Sequence, residues 1–199
     1  MRQVLVLCVA SMISSAALAD ASSFVEFAYI DGGENGSQNG GPQQDGFEFT
    51  GAYAFNEVWY LGGIAGRYEV DSNGPENDYF NIHGGAAIGM SESTDLITEL
   101  GLWFGEQTLN SVKTKPSALE LKAGVQTTVV DKLGLFATIS LVRGDLDTPT
   151  NDDLSDFVWS IGGAYNFTPN FAVNLKVVEG SNGVNGQSDV LRIGARWTF

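Results

Sequence analysis

Ten charged residues recur at alternating positions along this chain, and they are where chemistry would first be sought. Glu26, Glu48, Glu69, Glu99 and Glu120 stand against Arg67, Lys122, Lys176, Arg192 and Arg196, five of each sign. If all ten point into one enclosed space, two readings follow. Buried charges are costly unless paired, so the set can form a salt-bridge network that plugs a narrow interior. The same opposed charges can instead line a polar pore, with inward glycines at 63, 85, 101, 124 and 162 leaving room for a thin file of water. Catalysis has less to work with. His83 is the only histidine, and a hydrolytic site needs such a base oriented by an acid. No Ser or Asp lies within two residues of it, so hydrogen bonding inside the fold is the plainer expectation. The run Asp31-Gly32-Gly33-Glu34-Asn35-Gly36 follows the start of a calcium-binding loop, but its twelfth position is Pro42 where a bidentate Glu is needed. No cofactor or metal is expected.

Elements that could gather those charges are readable from the alternation of apolar and polar residues. Ten segments show it: 23–30, 47–55, 58–70, 79–90, 95–107, 118–130, 133–145, 157–167, 171–178 and 192–199. Each approaches or exceeds the ~9–11 residues that a tilted strand needs to cross a bilayer. In the last of them Ile193, Ala195, Trp197 and Phe199 share one face, and Arg192, Gly194, Arg196 and Thr198 the other. Arginines on a buried face and aromatics on a wet one would be inverted for a water-soluble sheet. The pattern suits a strand with lipid outside and a polar interior. By the same parity Val25, Phe27 and Tyr29 face out, as do Phe47, Phe49, Tyr53 and Phe55. In segment 58–70 the large residues Tyr60, Ile64 and Tyr68 are read as outward, with Arg67 and Glu69 inward. The expected fold is therefore all-β: a transmembrane up-and-down antiparallel β-barrel of ten strands, or eight if one hairpin fails to pair.

The connections support this reading. Asn56-Glu57, Ser91 to Thr94, Asp131-Lys132 and Thr168 to Asn170 are tight, and they alternate with long connections such as Asp31 to Asp45 and Leu146 to Asp156. Short inner turns and long outer loops are the habit of such barrels. All five prolines fall in connections, where no ladder N–H is lost. Aromatics gather at both ends of the segments: Phe55, Tyr60, Phe167, Phe171, Trp197 and Phe199 near the tight turns, and Phe47, Tyr68, Phe80, Phe104 and Phe157 near the loops. Two interfacial girdles would look like this. The loops also carry acid (Asp31, Glu34, Asp71, Glu76, Asp78, Asp145, Asp147, Asp152, Asp153, Asp156 and Asp189), read chiefly as a solvated surface and otherwise as sites for divalent cations.

The chain ends fit export. Residues 1–19 have a basic start at Arg2, an apolar stretch, and Ala17-Leu18-Ala19 as a small-x-small cleavage site, so they are expected to be a signal peptide, with the barrel domain over 20–199. Cys8 here would suit a lipoprotein leader, but Leu7 stands where a small residue is required. Without that leader the chain has no cysteine, and hence neither disulfides nor thiolate metal sites. The formal charge of −14 argues against nucleic-acid binding, which rewards clustered Lys and Arg.

The terminal pattern, with Gly194, Trp197 and the final Phe199, resembles the carboxy-terminal assembly signal of Gram-negative outer-membrane β-barrels. With the hairpins 85–96 and 157–167, the whole chain past the leader is similar to the small single-chain outer-membrane barrels of OmpX or OmpA-domain size, within a ten-stranded uncharacterised group. That resemblance implies residence in the cell outer membrane, contact with its lipid and lipopolysaccharide, and insertion by the barrel-assembly machinery. It implies a non-enzymatic role in envelope integrity or surface interaction through acidic extracellular loops. The alternative it leaves open is a narrow porin-like channel for small solutes. In either case the resemblance names no surface ligand.

Overall fold

The structure, a computed structural model, describes residues 22–32, 44–70, 76–109, 112–145, 153–180 and 190–199. The expected leader lies outside these residues, as do Glu34, Asp71, Asp147, Asp152 and Asp189. Eleven strands follow in order: β1 (Phe24–Gly32), β2 (Gln44–Ala54), β3 (Trp59–Val70), β4 (Glu76–Ser91), β5 (Thr94–Leu109), β6 (Val112–Thr114), β7 (Ser117–Val130), β8 (Leu133–Asp145), β9 (Asp153–Thr168), β10 (Phe171–Gly180) and β11 (Val190–Thr198). Ten of them form the wall. Each long strand pairs antiparallel with its neighbours in the chain, and β1 pairs with β11 to close the ring. Closure matters energetically, because an open edge in lipid would strand backbone N–H and C=O groups without partners. The short β6 pairs antiparallel with the last residues of β5, in line with β7, and adds no further strand to the wall. The eight-stranded fallback is not needed.

Strand parity then sorts the side chains. Leu100, Leu102, Leu119, Leu121, Leu135, Ile139, Leu141, Leu175 and Ile193 are all exposed on the outer surface. Among the described residues no charge interrupts this outward band until the loop end, where Asp45, Arg67, Glu69, Asp78, Arg143 and Asp145 appear on exposed positions. A charge-free apolar belt bounded by charge is what hydrocarbon requires, since a Lys or Arg at mid-depth costs ~2–4 kcal/mol. Aromatic rings mark the turn end of the belt. Tyr165 packs edge-on against Phe167 at 5.0 Å, Phe167 lies 6.1 Å from Phe171, and Phe171 lies 6.4 Å from Trp197.

One strand departs from expectation. In β3 the inward face holds Tyr60, Ile64 and Tyr68, which are 7%, 1% and 2% exposed, while Arg67 and Glu69 face outward. The cause is the turn before it. A two-residue turn at Asn56-Glu57 would set Val58 opposite Phe55. Instead three residues, Asn56, Glu57 and Val58, make the connection, and the Phe55 amide donates to the Trp59 carbonyl at 2.9 Å. The Asn56 side-chain oxygen accepts from the amides of both Val58 and Trp59, at 2.9 and 2.8 Å, which stabilises the wider loop. One added residue moves every side chain of the following strand to the other face. Tyr60 and Tyr68 accordingly leave the girdles proposed for them, and Trp59 and Leu61 take the lipid-facing positions.

Candidate functional site

The interior is filled in three storeys. Nearest the loops is an apolar one: Ile30, Ile64, Tyr68, Tyr79, Trp103, Ala118, Val142, Val158, Val178 and Val190 form one cluster, none more than 6% exposed. Rings supply much of its bulk, with Tyr79 5.8 Å from Trp103 and 6.0 Å from Tyr68. Each of these residues comes from near the loop end of its strand or from the strand's mid-height, so together they span the bore. Small barrels have bores that side chains can fill in this way.

Below it lies the charged storey. Arg192 on β11 donates from Nη1 to both oxygens of Glu48 on β2, at 2.9 and 2.8 Å, and the Tyr79 hydroxyl donates to the same carboxylate at 2.6 Å. Arg196 donates from Nε (2.8 Å) and Nη2 (2.5 Å) to Glu26, which also accepts from the Asn174 amide at 2.7 Å. The Arg196 guanidinium lies 4.3 Å from the centre of the Phe24 ring, a geometry that adds cation–π attraction. Lys122 pairs with Glu99, whose other oxygen accepts from the Tyr60 hydroxyl at 2.6 Å. Trp103 Nε1 donates to Glu120 at 2.7 Å and ties this storey to the apolar one. Lys176 sits opposite Arg192 in the β10–β11 register and is 4% exposed.

Thus eight of the ten charges expected inside are brought together: Glu26, Glu48, Glu99, Glu120, Lys122, Lys176, Arg192 and Arg196. Arg67 and Glu69 are not among them. The third storey, at the turn end, is mixed. Ala87, Ile97 and Phe136 form one patch and Phe24, Ala52 and Tyr60 another, with the Thr138–Ser160 hydroxyl pair (2.7 Å) and the Gln126–Asp95 pair (2.9 Å) beside them.

The inward glycines are seats for neighbouring side chains. A Cβ on Gly85 would lie 2.6 Å from the Tyr60 ring and 2.8 Å from Glu99; one on Gly162 would meet Phe136 at 2.5 Å, and one on Gly101 would meet Asn81 at 2.8 Å. On the terminal strand, Gly194 makes room for Asn174 (2.7 Å) and Glu26 (2.9 Å), while Trp197 and Phe199 face outward. Gly63 lies on the outer face with Leu61 and Ala65.

His83 is also packed rather than poised. It is 5% exposed, its Nδ1 is 2.6 Å from the Asn81 side-chain oxygen, and its ring meets Tyr60 edge-on. Among the described residues its hydrogen-bond partner is an amide rather than a carboxylate. Gly62 is its counterpart, since a Cβ there would come within 2.4 Å of Nε2. Gly62→Ala is expected to destabilise the barrel by ~1–3 kcal/mol through overpacking, and His83→Ala in the same chain should recover most of the loss. Urea titration of the refolded single and double variants measures both.

At the rim, Arg67 is engaged with acids. It donates from Nε (2.6 Å) and Nη2 (2.9 Å) to Asp78 and lies 2.9 Å from Glu76. The Arg67 hydrogen bonds hold the Asp78 carboxyl below the ordinary carboxylate range. A depressed carboxylate stabilises the fold above its unfolded pKa, and that contribution is lost as pH falls through its folded pKa. Solvent screening keeps the contribution small. The expected result is a low titration midpoint for Asp78 by NMR, rising toward the ordinary range in Arg67→Ala with no marked loss of folding. Among the described residues no three His, Cys, Asp or Glu side chains form a metal-binding group.

Sequence reasoning missed several members of the site. Asp95 is 3% exposed inside the barrel, and its place two alternations before Glu99 was the available signal. Tyr60, Tyr79 and Trp103 act as hydroxyl and indole donors to interior carboxylates, a role visible only through cross-barrel pairing.

No family model and no curated protein matches the chain. Solved structures do. An outer-membrane channel from Pseudomonas putida F1 aligns over 96% of this chain and 100% of its own, at 6% identity and a TM-score of 0.61. Ail, an outer membrane protein of Yersinia pestis, aligns over 89% and 99% at 14% identity and a TM-score of 0.45. A loop-deletion form of OmpT, an outer membrane protein of Vibrio cholerae, aligns over 92% of this chain and 61% of its own, at 19% identity and a TM-score of 0.41. At the level of fold, the chain is an outer-membrane β-barrel.

Proposed function

We propose that this protein is a sealed, non-enzymatic barrel of the Gram-negative outer membrane that works at its outer face, in envelope integrity or in surface interaction through its acidic connections. The observation that carries this reading is the apolar storey. Water and ions crossing the bore would have to pass Ile64, Tyr79, Trp103, Val142 and Val158, each 6% exposed or less. A hydrophobic constriction of this kind bars conduction by staying dry. Beneath it, the basic groups of Lys122, Arg192 and Arg196 are engaged with Glu99, Glu48 and Glu26. Paired charges of this kind rigidify a plug and leave little field for a passing ion.

In this reading residues 1–19 direct export, and the terminal strand with Gly194, Trp197 and Phe199 is recognised by the assembly machinery. The rim charges meet lipopolysaccharide. The second reading, a narrow channel for small solutes, draws on the Pseudomonas putida channel that shares the fold over its full length. A continuous wet path is its requirement, and the apolar storey opposes it.

The test is genetic. In a strain lacking the protein, a barrel with residues 33–43 and 146–152 replaced by short Gly-Asn turns should assemble yet fail to restore detergent resistance or surface binding. Full restoration by this loop-shortened barrel would overturn the proposal.

A further inference from the structure

Two interior carboxylates are not matched like the others: Glu120, held by the Trp103 indole, and Asp95. Glu26, Glu48 and Glu99 each hold a basic side chain. Asp95 is 3% exposed, and its hydrogen-bond partner is the neutral amide of Gln126, Nε2 to Oδ2 at 2.9 Å. Among the described residues no Lys or Arg pairs with it. The second oxygen of that carboxylate, Asp95 Oδ1, and the amide oxygen of the same glutamine, Gln126 Oε1, are both buried with no hydrogen-bond partner among the described residues. Both residues line one small cavity of about 10 Å³ at the turn end of the wall, together with Ser93, Thr128 and Gly134. That is about the room needed by one water-sized particle.

The two unmet oxygen acceptors belong to residues that line this space, and one is part of a carboxylate. Burying an unpaired charge costs several kcal/mol unless an opposite charge or donors meet it. Oxygen donors select hard cations. A single carboxylate balances one positive charge, whereas calcium takes 6–8 oxygens and usually several acids. The Ser93 carbonyl, which already accepts from the Thr128 amide at 2.8 Å, retains a second lone pair beside the same cavity. We infer that the Asp95–Gln126 cavity binds a single monovalent cation, sodium in the ionic medium that bathes the turn end. The ion would tie β5 to β7 next to their turns and neutralise Asp95, which has no basic partner among the described residues. This site is independent of whether the bore conducts.

The test compares refolded barrel in sodium chloride with the same barrel in choline chloride at equal ionic strength. Sodium should raise the folding equilibrium constant on the order of tenfold by about 0.15 M, saturating as a one-site ligand does. Asp95→Asn should remove that sodium-specific increment. Should this variant not fold, Gln126→Glu provides the second arm: two carboxylates should move the preference from sodium to calcium. Crystals soaked in rubidium should show an anomalous peak between Asp95 and Gln126. Equal stability of the unaltered barrel in sodium and choline would overturn the inference, and so would a site holding only water. Infrared evidence that Asp95 is a protonated acid donating to Gln126 would overturn it as well.

Discussion

Glu48→Ala should destabilise the barrel by about 3–5 kcal/mol, because it leaves a buried guanidinium without its counter-charge. Arg192 is 2% exposed and donates to both Glu48 oxygens. Losing the carboxylate would also deprive the Tyr79 hydroxyl of its acceptor, inside the apolar storey where no water can substitute. Glu48→Gln keeps the shape and one acceptor, so its loss should be smaller. The pair of changes Glu48→Leu with Arg192→Met should return most of the stability, since replacing a whole buried ion pair by apolar groups is often neutral or favourable. Urea unfolding of the refolded variants, followed by tryptophan fluorescence, measures all three. A loss in Glu48→Ala no larger than that of an exposed rim substitution would show that the pair does not hold the wall.

Trp103→Ala is expected to cost a similar ~3–5 kcal/mol by emptying the largest fully buried side chain of the upper storey. Part of the effect is polar. The Trp103 indole is the donor to Glu120 Oε2, and Glu120 Oε1 already has no hydrogen-bond partner among the described residues. Truncation would leave both oxygens unmet, which adds roughly 1–3 kcal/mol. Trp103→Phe separates the two contributions, because it keeps most of the ring and removes only the N–H. The same truncation also makes a gap in the seal, so a folded Trp103→Ala barrel should begin to pass current where the unaltered one does not.

Most of the wall was legible because lipid and interior impose opposite polarity on alternate residues, and long strands repeat that demand many times. At the chain's end the run Arg192 to Phe199 states it without ambiguity. β3 carries apolar residues on both faces, with Trp59 and Leu61 outside and Tyr60 and Ile64 inside, so alternation alone could not choose a face. There the choice depended on whether the turn held two residues or three, and the Asn56 side chain settled it locally. The charged storey was legible as a set of inward residues but not as pairs. Arg196 meets Glu26 from 170 positions away, and such partners are decided by how the ring closes. The apolar storey was harder to see. Val142, Val158, Val178 and Val190 are unremarkable residues at strand ends, and only closure gathers them into one layer. Glycines pointing inward suggested space, yet that space is taken by the rings and carboxylates of adjacent strands.

Single-channel recording on the refolded chain in a planar bilayer tests the sealed interior most directly. A sealed bore gives a folded, silent barrel at all moderate voltages, with current appearing only when the upper storey is breached, as in Trp103→Ala. Discrete ohmic steps from the unaltered barrel, shifted by Glu48→Gln, Glu99→Gln or Lys176→Gln, would contradict it and make the charged storey the lining of a channel.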